Sequence, residues 1–341
     1  MRQPRLKAPP ELPVAYYHCV SRVVNREFVL GDAEKEQFRR YLRLYEGFCG
    51  VRVVTYCVMS NHFHILLEVP RRPEVLPNDE ELLARLKRTY SGLGFATIRQ
   101  NLELLRAAGA TAEAEAYRET FFARMWHVSA FMKGLKQRFT QWFNRRHARK
   151  GTLWEERFRS VLVEGAGEAL AAMAAYIDLN PVRAAMVSDP KDYRWCGYAE
   201  AVGGNRQAVA GLKIVTDTDR GLPARAGGGV VLGEYRDLLY GRGEERGDDG
   251  PGRAVRKGFS RERVDEVLAK KGKLTWGEML HCRVRYFADG AVLGSKEFVN
   301  AVFAAERHRF GPKRQTGARP LRGVDAGSLC TLRDLRVAVV R

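Results

Sequence analysis

Between residues 51 and 69 two apolar runs stand back to back, VRVVTYCVM and HFHILLEV, with only Ser60-Asn61 between them. β-branched and aromatic side chains fit a pleated surface, and a short polar pair between two such runs is a turn signal, so the segment reads as a β-hairpin. Tyr16 to Val23 reads as a further strand. Asp32 to Phe48 reads as a helix, with Asp32 as its cap, Phe38, Leu42 and Tyr45 on one face, and Gly50 just beyond its end. A helix is expected around Glu80 to Tyr90, a long helical region from about Ala112 to Arg146, and a strand at Arg157 to Glu164. A last helix runs from about Glu168 to Leu179 and is limited by Pro181, because a residue before proline is pushed out of the helical region. This order predicts an α+β fold, a small antiparallel β-sheet with helices packed on one face.

Apolar periodicity is dense from residue 14 to about 200. Residues 221 to 258 instead hold eleven glycines in 38 positions and read as a linker or long loop. The expected organisation is a flexible N-terminal arm over 1–13, a main domain over 14–205, a Gly/Arg-rich linker over 206–258 and an accessory module over 259–341. That module is small and mostly helical: Ser260 caps a helix to about Lys271, and Thr275 to His281 forms a second. Two short strands surround Asp289-Gly290, and a final helix spans Ser295 to His308.

Charge narrows the partner. The chain has 58 Lys and Arg against 40 Asp and Glu, a net +18, which favours a polyanion, either nucleic acid or an anionic membrane surface. No run of 18 apolar residues exists, so a spanning helix is excluded and no membrane partner is expected. Residues 1–13 lack the apolar segment of a secretory signal, which gives a cytoplasmic expectation. The six cysteines, at 19, 49, 57, 196, 282 and 330, show no C-x-x-C pair and read as ordinary buried thiols.

Three constellations carry chemistry. His62-Phe63-His64 lies on the second hairpin strand, where residues two apart share a face, so both imidazoles point one way and can chelate a divalent cation. Alone the triplet is weak, since strand histidines are more often surface or hydrogen-bonded groups. In Tyr176-Ile177-Asp178-Leu179-Asn180-Pro181, helical spacing puts the Tyr176 phenol and the Asn180 amide on one side and sends Asp178 elsewhere. Lys133 to Arg159 holds nine Lys or Arg against Glu155 and Glu156, with Phe139, Trp142, Phe143, Trp154 and Phe158 interleaved. Cations for phosphates and rings for bases are what a single-strand binder needs, although Phe139 and Phe143, four apart, read as core.

Together these segments resemble a known family. VTYCVMSNHFHILLEV, then LKQRFTQWFNRRHARKGTLWEERFRSVLVE, AAYIDLNPVRAAMV and DYRWCGY are similar to the single-tyrosine HUH transposases (IS200-like). Within these they resemble the REP-associated tyrosine transposases, over roughly residues 14 to 200. The resemblance implies an HUH/RRM-like, ferredoxin-like sheet with packed helices. It implies that His62 and His64 are the metal-binding pair, that Tyr176 is the nucleophile, and that Asn180 is the third ligand to Mg or Mn, with no small-molecule cofactor. The aromatic position in KQRFTQWFN is Phe139, and only at Tyr176 does an amide follow four residues on. The implied reaction is nicking and strand transfer of single-stranded or hairpin DNA through a 5′-phosphotyrosine. The DNA contacts expected from the basic stretch are Lys136, Arg138, Asn144, Arg145, Arg146 and Arg149, with Trp154 and Arg157 expected to contact the substrate or support the site. A nucleoid-associated monomer or homodimer is expected; the alternative is a DNA-binding regulator with this fold that does not cut.

Overall fold

The hairpin forms as its sequence demands. In the computed structural model β2 (Arg52–Val58) and β3 (His62–Pro70) pair antiparallel, with a bulge between Val53 and Thr55 that inserts Val54. β1 (Val14–Arg22) pairs with the other edge of β3, and β4 (Arg159–Val163) pairs with β1, so the sheet order is β2-β3-β1-β4, antiparallel throughout. The structure describes residues 12–163, 165, 168–220, 227–243, 261–269, 272, 292–296, 300, 303–304, 307–320 and 329–332.

Alternate residues of β3 go to opposite faces. Phe63, Ile65 and Leu67 face α1 (Asp32–Cys49) and α5 (Val128–Arg146), where Phe38, Leu42, Leu135 and Phe139 complete a dry core. The two helices cross closely because residue 134 is glycine: a Cβ there would lie 2.4 Å from Tyr45 Cε1. With α5 serving as the crossover from β3 to β4, the connectivity is β-α-β-β-α-β, the ferredoxin-like order. α6 (Glu168–Asp178) packs on the other face, so helices cover both faces rather than the one expected.

Two helix boundaries differ from the sequence reading. α1 begins at Asp32 but its cap is Gly31, without a side-chain cap bond; Asp32 serves as first-turn negative charge instead. The long helical region is broken: α4 (Thr111–Phe122) and α5 are separated at Trp126, whose φ is +51° and whose backbone N–H donates to the Cys49 carbonyl. Before them lie α2 (Asp79–Thr89), opened by an Asn78–Glu81 capping box, and α3 (Gly92–Ala107).

Two compact units divide the chain. The first takes in Met1–Pro181, Trp195–Gly197 and Thr218–Arg220, and the second takes in Val182–Arg194, Tyr198–Asp217 and Gly221–Arg341. The short α7 (Asn180–Arg183) and α8 (Gly197–Val202) begin in the first unit and continue in the second, and α9 (Arg206–Arg220) belongs mostly to the second. In the second unit α10 (Gly228–Gly243) occupies part of the expected linker, as α9 does. The glycine count hid its apolar stripe of Val231, Tyr235, Leu238 and Leu239, all buried. Arg236, also on α10, is 2% exposed and pairs with Asp189 at 2.7 Å, while the Tyr240 hydroxyl donates to the same carboxylate at 2.7 Å. α11 (Arg261–Ala269) matches the helix expected after Ser260, and β5 (Val292–Ser295), β6 (Arg319–Pro320) and β7 (Leu329–Leu332) form a small sheet. The expected helix at 275–281 lies outside the described residues, as does most of the final one. Cys19, Cys49, Cys57, Cys196 and Cys330 are buried.

Candidate functional site

The face of the sheet away from the core holds the polar residues. His62 lies opposite Arg22, His64 opposite Val20 and His18 opposite Leu66, which puts all three imidazoles on one face. His18 Nε2 and His64 Nδ1 are 2.9 Å apart, and the rings stack at 5.2 Å with 11° between their planes. His62 stands edge-on to His64 at 5.0 Å. Its Nδ1 is 2.6 Å from Asn61 Oδ1, while the Asn61 amide nitrogen donates to the Arg26 carbonyl. Burial lowers the pKa of His18 and of His62 to about 4 and that of His64 to about 3, helped at His64 by the neighbouring imidazoles and at His62 and His64 by Arg22. All three rings are therefore neutral near pH 7, as metal ligation requires of an imidazole.

α6 lays the tyrosine over this face. Asp178, expected to project elsewhere, is fully buried and accepts the Thr55 hydroxyl of β2 at 2.7 Å. A Cβ on residue 197 would lie 2.1 Å from that hydroxyl oxygen, so the contact needs Gly197. With Ala171, Ala174, Ala175 and Ile177 also buried, Tyr176 is turned outward, 38% exposed. Its ring meets His64 edge-on at 5.7 Å and His18 at 6.0 Å. Asn180 Nδ2 donates to the Tyr176 and Ile177 carbonyls at 2.9 and 3.2 Å, which satisfies the last turn of α6 and leaves the amide oxygen as the atom able to ligate.

Two neutral imidazoles and one amide oxygen are a mixed nitrogen and oxygen donor set. Among the described residues no group of three or more His, Cys, Asp or Glu side chains is arranged to hold a metal ion.

The expected DNA contacts divide. Trp154 is buried against Phe38, Phe63 and Phe139, with its indole N–H donated to Thr140, so its ring is a core group and not a free stacking platform. Arg138 donates to the Thr89 carbonyl and lies over Tyr41; Asn144 braces the Gly151 carbonyl. Arg146 pairs with Glu34 at 3.4 Å, and Arg149 lies over Phe143. Lys136 donates to the Glu156 carbonyl, whereas Arg145 and Arg157 are exposed. A groove of about 750 Å³ between α5 and residues 151–158 is lined by Lys133, Lys136, Gln137, Gln141 and Arg157. The sequence reading missed His18. A lone strand histidine carries no local signal, and its partnership with His64 depends on the β1–β3 register.

No curated protein matches the chain. Among solved structures, one described as "Structure of the REP associates tyrosine transposase bound to a REP hairpin" aligns at 12% identity and a TM-score of 0.36, over 59% of this chain and 86% of its own. The family model described as "Transposase IS200 like" matches residues 12–101, from the start of β1 into α3 and short of Tyr176. Over that span, which carries both hairpin histidines, the chain is similar to the IS200-like transposases.

Proposed function

We propose that this chain is a divalent-metal-dependent nickase and strand transferase for single-stranded and hairpin DNA, as its motifs suggest. The observation that carries the reading is the exposed Tyr176 phenol edge-on to His64 and His18, on the sheet face that also holds His62. His62, His64 and Asn180 would hold Mg or Mn, which when bound would polarise the scissile phosphate and stabilise charge on its oxygens. The chain's own residues do the rest. Asp178 and Thr55 fix α6, so the phenol is held over the site at little entropic cost. Tyr176 Oη forms the bond to phosphorus and gives up its proton, while the bond to the 3′-oxygen breaks and that oxygen takes one up. The 5′-phosphotyrosine keeps the ester, so attack by another 3′-hydroxyl rejoins strands without external energy. Arg145 and Arg157, exposed, and the lysines of the α5 groove are suited to phosphate contacts that guide the strand.

Incubation with hairpin oligonucleotides and Mn or Mg, followed by denaturing gels, tests the reading. A covalent adduct is expected from the wild type and none from Tyr176→Phe; an adduct that survives the substitution refutes the nucleophile. The second reading is a DNA-binding protein that keeps this fold and does not cut. It predicts a gel shift without a covalent species.

A further inference from the structure

The site contains a third histidine that the proposed chemistry leaves without a task. Asn61 shows what task a neighbour can have. Its amide nitrogen donates to the Arg26 carbonyl, so the atom 2.6 Å from His62 Nδ1 is an oxygen, which can only accept. His62 Nδ1 therefore carries the proton, and its Nε2 presents a lone pair. At His64 the neighbour is another imidazole, His18, and either ring could donate across the 2.9 Å contact. If His18 donates, His64 carries its proton on Nε2 and cannot ligate through it. If His64 donates, both hairpin histidines present Nε2 lone pairs on one face. The near-parallel stack and the burial of His18 and His64, 6% and 5% exposed, hold the two rings against each other at this contact.

We infer that His18 is a positioning residue whose Nε2 accepts the Nδ1–H of His64, fixing on His64 the tautomer that Asn61 fixes on His62. This inference rests on the reading of His62 and His64 as metal ligands. Ligating imidazoles characteristically donate their second N–H to a fixed acceptor, and removing that acceptor typically costs 10- to 100-fold in metal affinity. An imidazole acceptor is chemically unusual in that role. It ties the metal face to β1, two strands from β2, so the register of the sheet itself sets the ligand.

Long-range 1H–15N correlation on the full, metal-free chain reads the tautomers directly, and Mn titration followed by electron paramagnetic resonance reads affinity. Wild type should show Nδ1–H on both His62 and His64. In His18→Phe, His64 should lose that preference, His62 should keep it, and Mn affinity should fall by roughly 10- to 100-fold. His18→Gln, whose carbonyl can accept the same proton, should restore the tautomer and most of the affinity. An Nε2–H tautomer on His64 in the wild type overturns the inference. So does His18→Phe that stays folded and binds Mn as the wild type does. A wild type with the Nδ1–H tautomer that binds no Mn overturns the metal reading instead and leaves the His64-to-His18 hydrogen bond standing.

Discussion

The two faces of the central sheet are made from alternate residues of the same strands, yet they obey different rules. One takes Phe63, Ile65 and Leu67 of β3 and buries them against α1 and α5; Phe63 lies 4.6 Å from Phe38 and 5.2 Å from Trp154, ring to ring. The other takes His62 and His64, adds His18, and is covered by a single helix that leaves Tyr176 exposed. Because the side-chain period of a strand is two, a slip of one residue would exchange the faces, so the core that stabilises the fold also fixes which face can do chemistry. Stability and reactivity are thus separable by substitution at adjacent positions, and each prediction below sets one face against the other.

Phe63→Ala should have the largest effect on stability, about 3–5 kcal/mol, because it opens a cavity in a dry aromatic cluster. His64→Ala, one position on, should cost far less while removing metal binding. Urea unfolding of the two variants gives the comparison; equal losses would mean that the faces are not divided as described.

A buried polar pair helps to hold the helix over the polar face. Asp178→Ala strands the Thr55 hydroxyl and removes an anchor of α6, for an expected loss of about 1–3 kcal/mol. Hydrogen exchange should show the loss concentrated in α6, with the β1–β3 ladder little changed. Uniform loss across the sheet would mean that Asp178 supports the core rather than the site.

Acid should act on the polar face through its three histidines. An unfolded histidine titrates near 6.5, whereas His18 and His62 are held at about 4 and His64 at about 3, chiefly by burial, with Arg22 the cation acting on His62 and His64. From pH 6.5 down to about 3 the unfolded chain binds more protons than the folded one, so stability of the metal-free protein falls as pH falls through that window. Above pH 6.5 these groups contribute no slope. Thermal melts at stepped pH should show a shallower decline in a His18→Phe variant; an unchanged profile would remove His18 from the titrating set.

How far the sequence disclosed this arrangement depends on the range of the signal. The hairpin, the placement of His62 and His64 on one face, and the inward packing of Phe139 and Phe143 follow from local period and were legible. His18 was not, since its partner is 46 residues away and only strand register joins them. Helical spacing put Asp178 on a different side from Tyr176, as found, but could not name Thr55 as its partner, because spacing locates a side chain around its helix and not the sheet that lies beneath it. α10 was hidden by composition: glycines lower helix propensity, but Val231, Tyr235 and Leu239 and the buried Arg236–Asp189 pair override it.

The smallest stability effect, and the sharpest test of the guiding charges, belongs to the exposed end of α5. Arg145, Arg146 and Arg149 lie beyond the core, and Arg146 pairs its half-exposed guanidinium with the buried Glu34 carboxylate. Replacing all three should therefore change stability by about 1 kcal/mol or less. Their effect should appear in DNA affinity instead. For single strands, log affinity falls by about 0.7 per log unit of salt for each phosphate neutralised, so loss of three contacts flattens the slope by about 2. Arg146 and Arg149 are partly committed to Glu34 and to the Phe143 ring, so Arg145→Gln alone should account for a full single-contact step while Arg149→Gln yields less. Fluorescence anisotropy with a labelled oligonucleotide at stepped salt measures these slopes. Equal steps from all three would show that the partners seen in the free protein give way to phosphate on binding, and no step from any would make this end of α5 an ordinary solvated surface.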